Sequence, residues 1–245
     1  MTRSKRSLPP TKEIQHKETH RLIPARDSES GTVLSRLTEK ETELRDLMEL
    51  DGATNDRLLG EEGLLPGIGV HELVYGVRYA HIVNAAFTHA APGGGRFNGN
   101  GRGAWYAGLA QETSAAEVAF HKLRQLEEVD WNQEETSAYD DYLADFSAEF
   151  HDLTTAKPQF QKYLRPFPLP QCYREPQRLA AVLLAERSNG ILYPSVRRSG
   201  GSCLVCFRPT LVYHVRRTAQ LELRLLAGRP FAPVQMRPLK IAKAS

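Results

Sequence analysis

The 245-residue chain predicts an α+β fold: a small sheet with flanking helices. Three observations carry this. The strand-like runs are short, mostly non-alternating, and not interleaved with helices as a doubly wound sheet requires. "QETSAAEVAFHKLRQLEEV", residues 111–129, has helical periodicity, with Ala115, Val118, Ala119 and Leu123 along one face and Thr113 or Ser114 as the expected N-cap. "ILYPSVRRSGGSCLVCFRP", residues 191–209, reads as strand, polar turn at Gly200–Gly201, and strand.

The remaining elements follow in chain order. Residues 1–31 are polar, basic and without sustained periodicity, so a flexible segment is expected. Residues 32–65 form a helical extension packed on the core, with Leu34, Leu37, Leu44, Leu47 and Met48 at helical spacing and Gly52 as a stop. The main domain is expected over 66–215. Within it, "HELVYGVRYAHIVNAAFTHA" offers a short β-like piece and then a buried strand or helix. The glycine-rich loop of residues 93–103 leads into a short strand, "WYAG". Residues 127–140 are acidic and polar and read as a surface loop, while "DYLADFSAEFHDL" reads as a half-buried strand. "PFPLPQCYREPQRLAAVLLAERSNG" supplies a loop and a second long helix ended by Gly190. Residues 216–245 hold a C-terminal strand and a basic tail.

Composition narrows the function classes. A hydrophobic fraction of 41% and a charged fraction of 25% are those of an ordinary soluble globular protein. No apolar run reaches bilayer length, and the basic start lacks the apolar centre of a secretory signal, so a cytoplasmic protein without membrane association is expected. The net charge of +3 comes largely from the two ends. Solvated termini are the simpler reading than a nucleic-acid face, which would interleave aromatics with the basic residues. Three cysteines do not make a disulfide framework. Cys203 and Cys206 form a C-x-x-C, but on a strand these positions face opposite sides, and no second pair completes a zinc set. No metal is expected.

Four positions stand out chemically. Arg96 follows three glycines, where the backbone can approach a ligand and the guanidinium offers a planar fork for phosphate; a solvated loop arginine is the alternative. Tyr106 lies on an apolar strand, as a core aromatic would. Glu117 sits among small apolar residues, "SAAEVAF", where a buried carboxylate costs stability unless paired or used; a solvent-facing helical position is the alternative. Ser195 follows a strand in "YPSVRRSGG", where it can place a hydroxyl at a cleft or form a plain ST-turn. There is no G-x-S-x-G around it. The glycine loop matches neither a P-loop nor a G-x-G-x-x-G between strand and helix.

Together, "GGRFN", "WYAGLAQETSAAEVAFHK" and "SNGILYPSVRRSGGSCLVCFRP" resemble the hallmark segments of RES-domain proteins. "HRLIPAR", "ATNDRL", "AAFTHAAPGGGRF" and "YLADFSAEFHDL" resemble the longer members described as NAD+ phosphorylases. The likeness runs from about His20 to Pro209. It implies an ADP-ribosyltransferase-like fold, a split pair of small β-sheets with a cleft for NAD+. The family's arginine, tyrosine, glutamate and serine fall on Arg96, Tyr106, Glu117 and Ser195, with Gly95 and Phe97 beside the arginine as further binding positions. The likeness also implies a toxin of a bacterial toxin–antitoxin pair, whose Xre-type antitoxin blocks the cleft. The loop "RFNGNGRGAWYAG" departs from many relatives, which carry Ser, Asp or Pro there.

The residue types suit cleavage of the nicotinamide–ribose bond. Glu117 would oppose the positive charge developing on the ribose, Tyr106 would stack on nicotinamide, Arg96 would hold pyrophosphate or an incoming phosphate, and Ser195 would fix orientation. Phosphate as acceptor gives a phosphorylase, water a glycohydrolase, and a protein side chain an ADP-ribosyltransferase. Arg78, Arg102, Arg197 and Arg198 are candidates for a second cation. A non-catalytic nucleic-acid-binding module is the reading from another class.

Overall fold

The computed structural model describes residues 8–25, 67–131, 133–155, 157–225 and 235–239. The helical extension expected over 32–65 lies outside them.

The observed class is α+β. Strand β1 (Thr11–Pro24) is followed by helix α1 (Ala80–Thr88), β2 (Trp105–Gly108), α2 (Gln111–Glu128), β3 (Glu135–Asp152), α3 (Arg174–Ala185), β4 (Gly190–Pro194), β5 (Ser202–Cys206), β6 (Tyr213–Leu225) and β7 (Gln235–Leu239). The strands hydrogen-bond in the order β1-β2-β5-β4-β3-β6-β7, and β1 also pairs with β3, so the first five close into a ring. Two joints in that ring are narrow. A single residue pair, His20 with Gly108, links β1 to β2, and two pairs, at His151 and Asp152, link β3 to β4. The sheet is therefore split into a small antiparallel unit, β2-β5-β4, and a larger one, β1-β3-β6-β7.

Alternation along the small unit builds two cores. Trp105, Ala107, Leu192, Leu204 and Cys206 face one side, with Phe87 of α1 and Phe146 and Phe150 of β3. Ile191, Tyr193, Cys203 and Val205 face the other, with Phe97 and with Leu179, Ala180 and Leu183 of α3. Each fully buried large side chain here contributes roughly 1.5–3 kcal/mol. The two strand cysteines thus lie on opposite faces, both buried.

Three expectations are corrected. The segment 1–31, expected to be flexible, contains β1, paired with β3 from Thr11 opposite His151 to Pro24 opposite Tyr139. Its sequence hides this because only Ile14, Thr19 and Leu22 are buried, and a bulge between His16 and Thr19 breaks the alternation. There Glu18 adopts φ 63 and its N–H donates to Asp145 Oδ1 at 3.0 Å. The expected 127–140 loop is shorter, because β3 begins at Glu135 and pairs with β6 from that residue. Finally, α2 starts at Gln111, with Ala110 as N-cap and no side-chain cap. Ser114 spends its hydroxyl elsewhere, accepting from the Gly108 N–H at 3.0 Å and donating to the His20 carbonyl.

The long amphipathic helix α2 positions the site. Ala119, Leu123 and Leu126 pack against Leu225 of β6, and Ala115 against Leu22 of β1 and Tyr139 of β3. This anchors one face and turns Glu117, His121 and Gln125, spaced one turn apart, to the other.

Candidate active site

A cleft of about 430 Å³ lies under α2. Its walls come from β1 (Arg21, Leu22), β2 (Tyr106–Gly108), the glycine loop (Gly94–Arg96, Asn98), α2 (Glu117, His121, Gln125), and Tyr173, Tyr193 and Cys203. The structure brings Arg96, Tyr106 and Glu117 together on this surface.

Glu117 is the centre. Ser195 Oγ donates to Glu117 Oε1 at 2.6 Å, and accepts from the Arg197 and Arg198 N–H groups at 3.1 and 3.0 Å. With both lone-pair directions taken by backbone amides, the hydroxyl proton can only point to the carboxylate. Of the two sequence readings Ser195 takes the ST-turn, and that turn aims its proton at Glu117. It stands behind Glu117 and is not itself part of the cleft lining.

The glycine loop is a rigid brace. The Gly95 N–H donates to the Asn98 carbonyl at 3.0 Å and to Asn98 Oδ1 at 3.1 Å. Tyr106 OH donates to Asn98 Oδ1 at 2.8 Å and accepts from the Phe97 N–H at 2.8 Å. Burial pushes the Tyr106 phenol well up, so it stays a donor. A Cβ on Gly95 would sit 2.6 Å from Asn98 Oδ1 and 2.9 Å from Tyr106 OH, and Gly94 adopts φ +73 with no room for a Cβ. The glycines are there for close packing and a left-handed turn. Phe97, expected beside the ligand, is fully buried in the core with its ring edge-on to Tyr193 at 4.9 Å.

Arg96 lines the cleft but is only 6% exposed. Its Nη1 donates to the Tyr163 and Arg165 carbonyls at 3.3 and 2.9 Å, and its guanidinium lies 5.2 Å from the centre of the Tyr173 ring. It is therefore both a cleft cation and an anchor for the 163–165 segment. Of the proposed second cations, Arg102 is committed to structure: it grips Glu72 with two bonds at 3.0 and 2.9 Å and donates to the Phe207 carbonyl at 2.8 Å. Arg78 is exposed on the Tyr79 ring. Arg197 stacks 3.4 Å from the Phe120 ring centre and donates to the Pro166 carbonyl at 3.2 Å, while Arg198 reaches Thr113 Oγ1 at 3.4 Å.

The cation that sequence reasoning missed is Arg21, on the strand expected to be flexible. It lines the cleft, lies 4.8 Å from the Trp105 ring centre, donates to the Tyr106 carbonyl at 3.2 Å, and has a buried Nε without a partner among the described residues. Burial lowers it to about 10, so it remains charged at neutral pH. His121 was missed too. Lost solvation along the cleft wall, with Arg197 and Arg96 nearby, lowers it to about 4, which leaves a neutral imidazole one turn from Glu117. Among the described residues, no group of three or more His, Cys, Asp or Glu side chains is placed to hold a metal ion. No helix among them is long and apolar enough to cross a membrane.

Fold and cleft together define an α+β protein with a serine-held carboxylate facing a cation-lined cavity. The RES domain matches residues 73–226, more than half of the chain, and the chain belongs to the RES-domain family. Among solved structures, it is similar to a chain in the crystal structure of the M.tuberculosis MbcT-MbcA toxin-antitoxin complex, at 14% identity over 87% of this chain and 86% of that one, with a TM-score of 0.42. No curated protein matches the sequence.

Proposed function

We propose that this protein cleaves the nicotinamide–ribose bond of NAD+, as a phosphorylase or glycohydrolase. The observation that carries the reading is the Ser195–Glu117 pair at 2.6 Å, on a cleft that also holds Arg21 and Arg96. As the bond breaks, nicotinamide leaves with the electron pair and positive charge grows on the ribose. The Glu117 carboxylate opposes that charge and accepts from a ribose hydroxyl, and it is preorganised because Ser195 already fixes one oxygen. Arg21 and Arg96 suit the pyrophosphate, or inorganic phosphate as the acceptor that completes the new C–O bond. The neutral His121 can donate to or accept from the ligand without adding charge. Tyr106, whose hydroxyl braces the loop, offers its ring to the cleft.

The test is NAD+ consumption by the purified protein, with and without inorganic phosphate. A phosphate-dependent rate with a sugar-1-phosphate product identifies the phosphorylase, and free ADP-ribose identifies the glycohydrolase. Labelled protein in a lysate would instead identify an ADP-ribosyltransferase. Glu117→Gln is expected to lower kcat by at least about a hundredfold, as loss of a transition-state electrostatic partner does. Unchanged turnover in that variant would refute the assignment. The family resemblance also supports a cytoplasmic toxin restrained by an Xre-type antitoxin, and co-expression with such a protein should suppress NAD+ loss.

A further inference from the structure

The Glu117 carboxylate is held unevenly. The hydrogen bonds it accepts from the described residues both end on Oε1: Ser195 Oγ at 2.6 Å and Cys203 Sγ at 3.8 Å. Sheet register puts both donors there. Cys203 on β5 lies directly opposite Tyr193 on β4, two residues before Ser195. The alternation that buries Cys206 in one core turns Cys203 to the other side, at the cleft lining. The thiol is 2% exposed. Burial first, and the neighbouring Glu117 carboxylate second, push its ionisation well up, so the sulfur keeps its proton.

We propose that Cys203 is a positioning residue for Glu117. Its S–H and the Ser195 O–H hold the same oxygen, so that Oε2 is the one presented to the ligand. A thiol suits this position physically. It is a weak donor with a large, apolar body, so it fills the floor beneath the carboxylate without a second strong bond competing with Ser195. A carboxylate tethered only by Ser195 can rotate part-way about its terminal torsion, which is broad for glutamate, and tilt its free oxygen out of line with the ligand. With sulfur beneath Oε1, that rotation loses a contact.

The proposal rests on Glu117 being the group that acts on the ligand, and two measurements keep it separable from that reading. The first needs no turnover. The S–H stretching band of Cys203, isolated as the infrared difference between the wild-type protein and Cys203→Ala, should lie below that of a free thiol and shift upward in Glu117→Gln. The second is the pH profile of kcat/KM for NAD+ consumption. The titratable and charged groups that share the cleft wall with Glu117 or lie beside it are Arg197 from the turn, Arg96 on the glycine loop, Arg21 on β1, Tyr106 on β2, Tyr173 before α3, Tyr193 on β4, Cys203 on β5 and His121 on its own helix. Removing only the thiol proton donor should move the acidic limb to higher pH, with kcat/KM on that limb falling roughly three- to fivefold, the size of an ordinary net hydrogen bond. Cys203→Val, which keeps the volume, should behave like Cys203→Ala. Cys206→Ala, on the opposite face, should leave it unchanged.

A band at the free-thiol frequency that ignores Glu117→Gln overturns the proposal. So does a wild-type pH profile in both Cys203→Ala and Cys203→Val. If the wild-type protein does not consume NAD+, the proposed activity fails and the infrared band alone decides the role of Cys203.

Discussion

At Gly95 a single methyl group separates a working loop from a broken one. An alanine Cβ would press on Asn98 Oδ1 and Tyr106 OH, the two atoms that close the loop. Neither can retreat far, since Asn98 Nδ2 also donates to the Gly99 and Arg102 carbonyls and Tyr106 OH takes the Phe97 N–H. Gly95→Ala should therefore cost about 1–3 kcal/mol of stability, in the range for overpacking, measurable as a lower midpoint in urea with unchanged m. Since Arg96 follows directly, KM for NAD+ should rise as well. Asn98 closes the "GGRFN" segment that carries the resemblance, but its role is reciprocal: it bonds to both ends of its own loop, a pattern that only the folded loop displays.

The elements differ in how openly the sequence declares them. Helix α2 and the β4–β5 hairpin were legible because their apolar spacing serves one face or one core. The resemblance also led to Glu117 and Ser195, though it could not show that Ser195 bonds Glu117 from outside the cleft lining or that Phe97 is a core residue. Strand β1 was illegible: a solvent-facing side, a bulge and a run of polar residues mimic a loose tail. The ladder that holds it to β3 is made of backbone bonds, which side-chain identity does not encode. Arg21 went unnoticed with it. Removing residues 1–24 should therefore do more than trim a terminus. It unpairs the length of β3 from Thr11–Pro24 and uncovers Tyr139, Tyr142 and Leu143. The truncated chain should lose its cooperative thermal transition, followed by circular dichroism, whereas removal of a tail would leave the midpoint unchanged.

For the whole molecule the decisive feature is the split sheet. The small and large units touch through one backbone pair on one side and two on the other, and the cleft takes residues from both, Arg21 and Leu22 from the large unit and Tyr106, Tyr193 and Cys203 from the small. A ligand that bridges them should couple their stabilities. NAD+ at a hundredfold excess over its Kd should stabilise Glu117→Gln by about 2.7 kcal/mol, seen as a raised Tm by calorimetry. No rise at any attainable concentration would count against NAD+ as the cleft's ligand.

The pairing of the first strand with the third also has a consequence in time. His20 and Asp141, bonded across β1 and β3, are 121 positions apart, and the last of the cleft's lining, Cys203, is made still later. A ribosome must therefore pass Asp141 before His20 can meet its partner, and nascent fragments that stop short of Cys203 lack the complete cleft. Contacts this distant in sequence also form slowly. The protein is assembled with β1 waiting for β3, and any activity housed in the cleft begins only after β5 has been made.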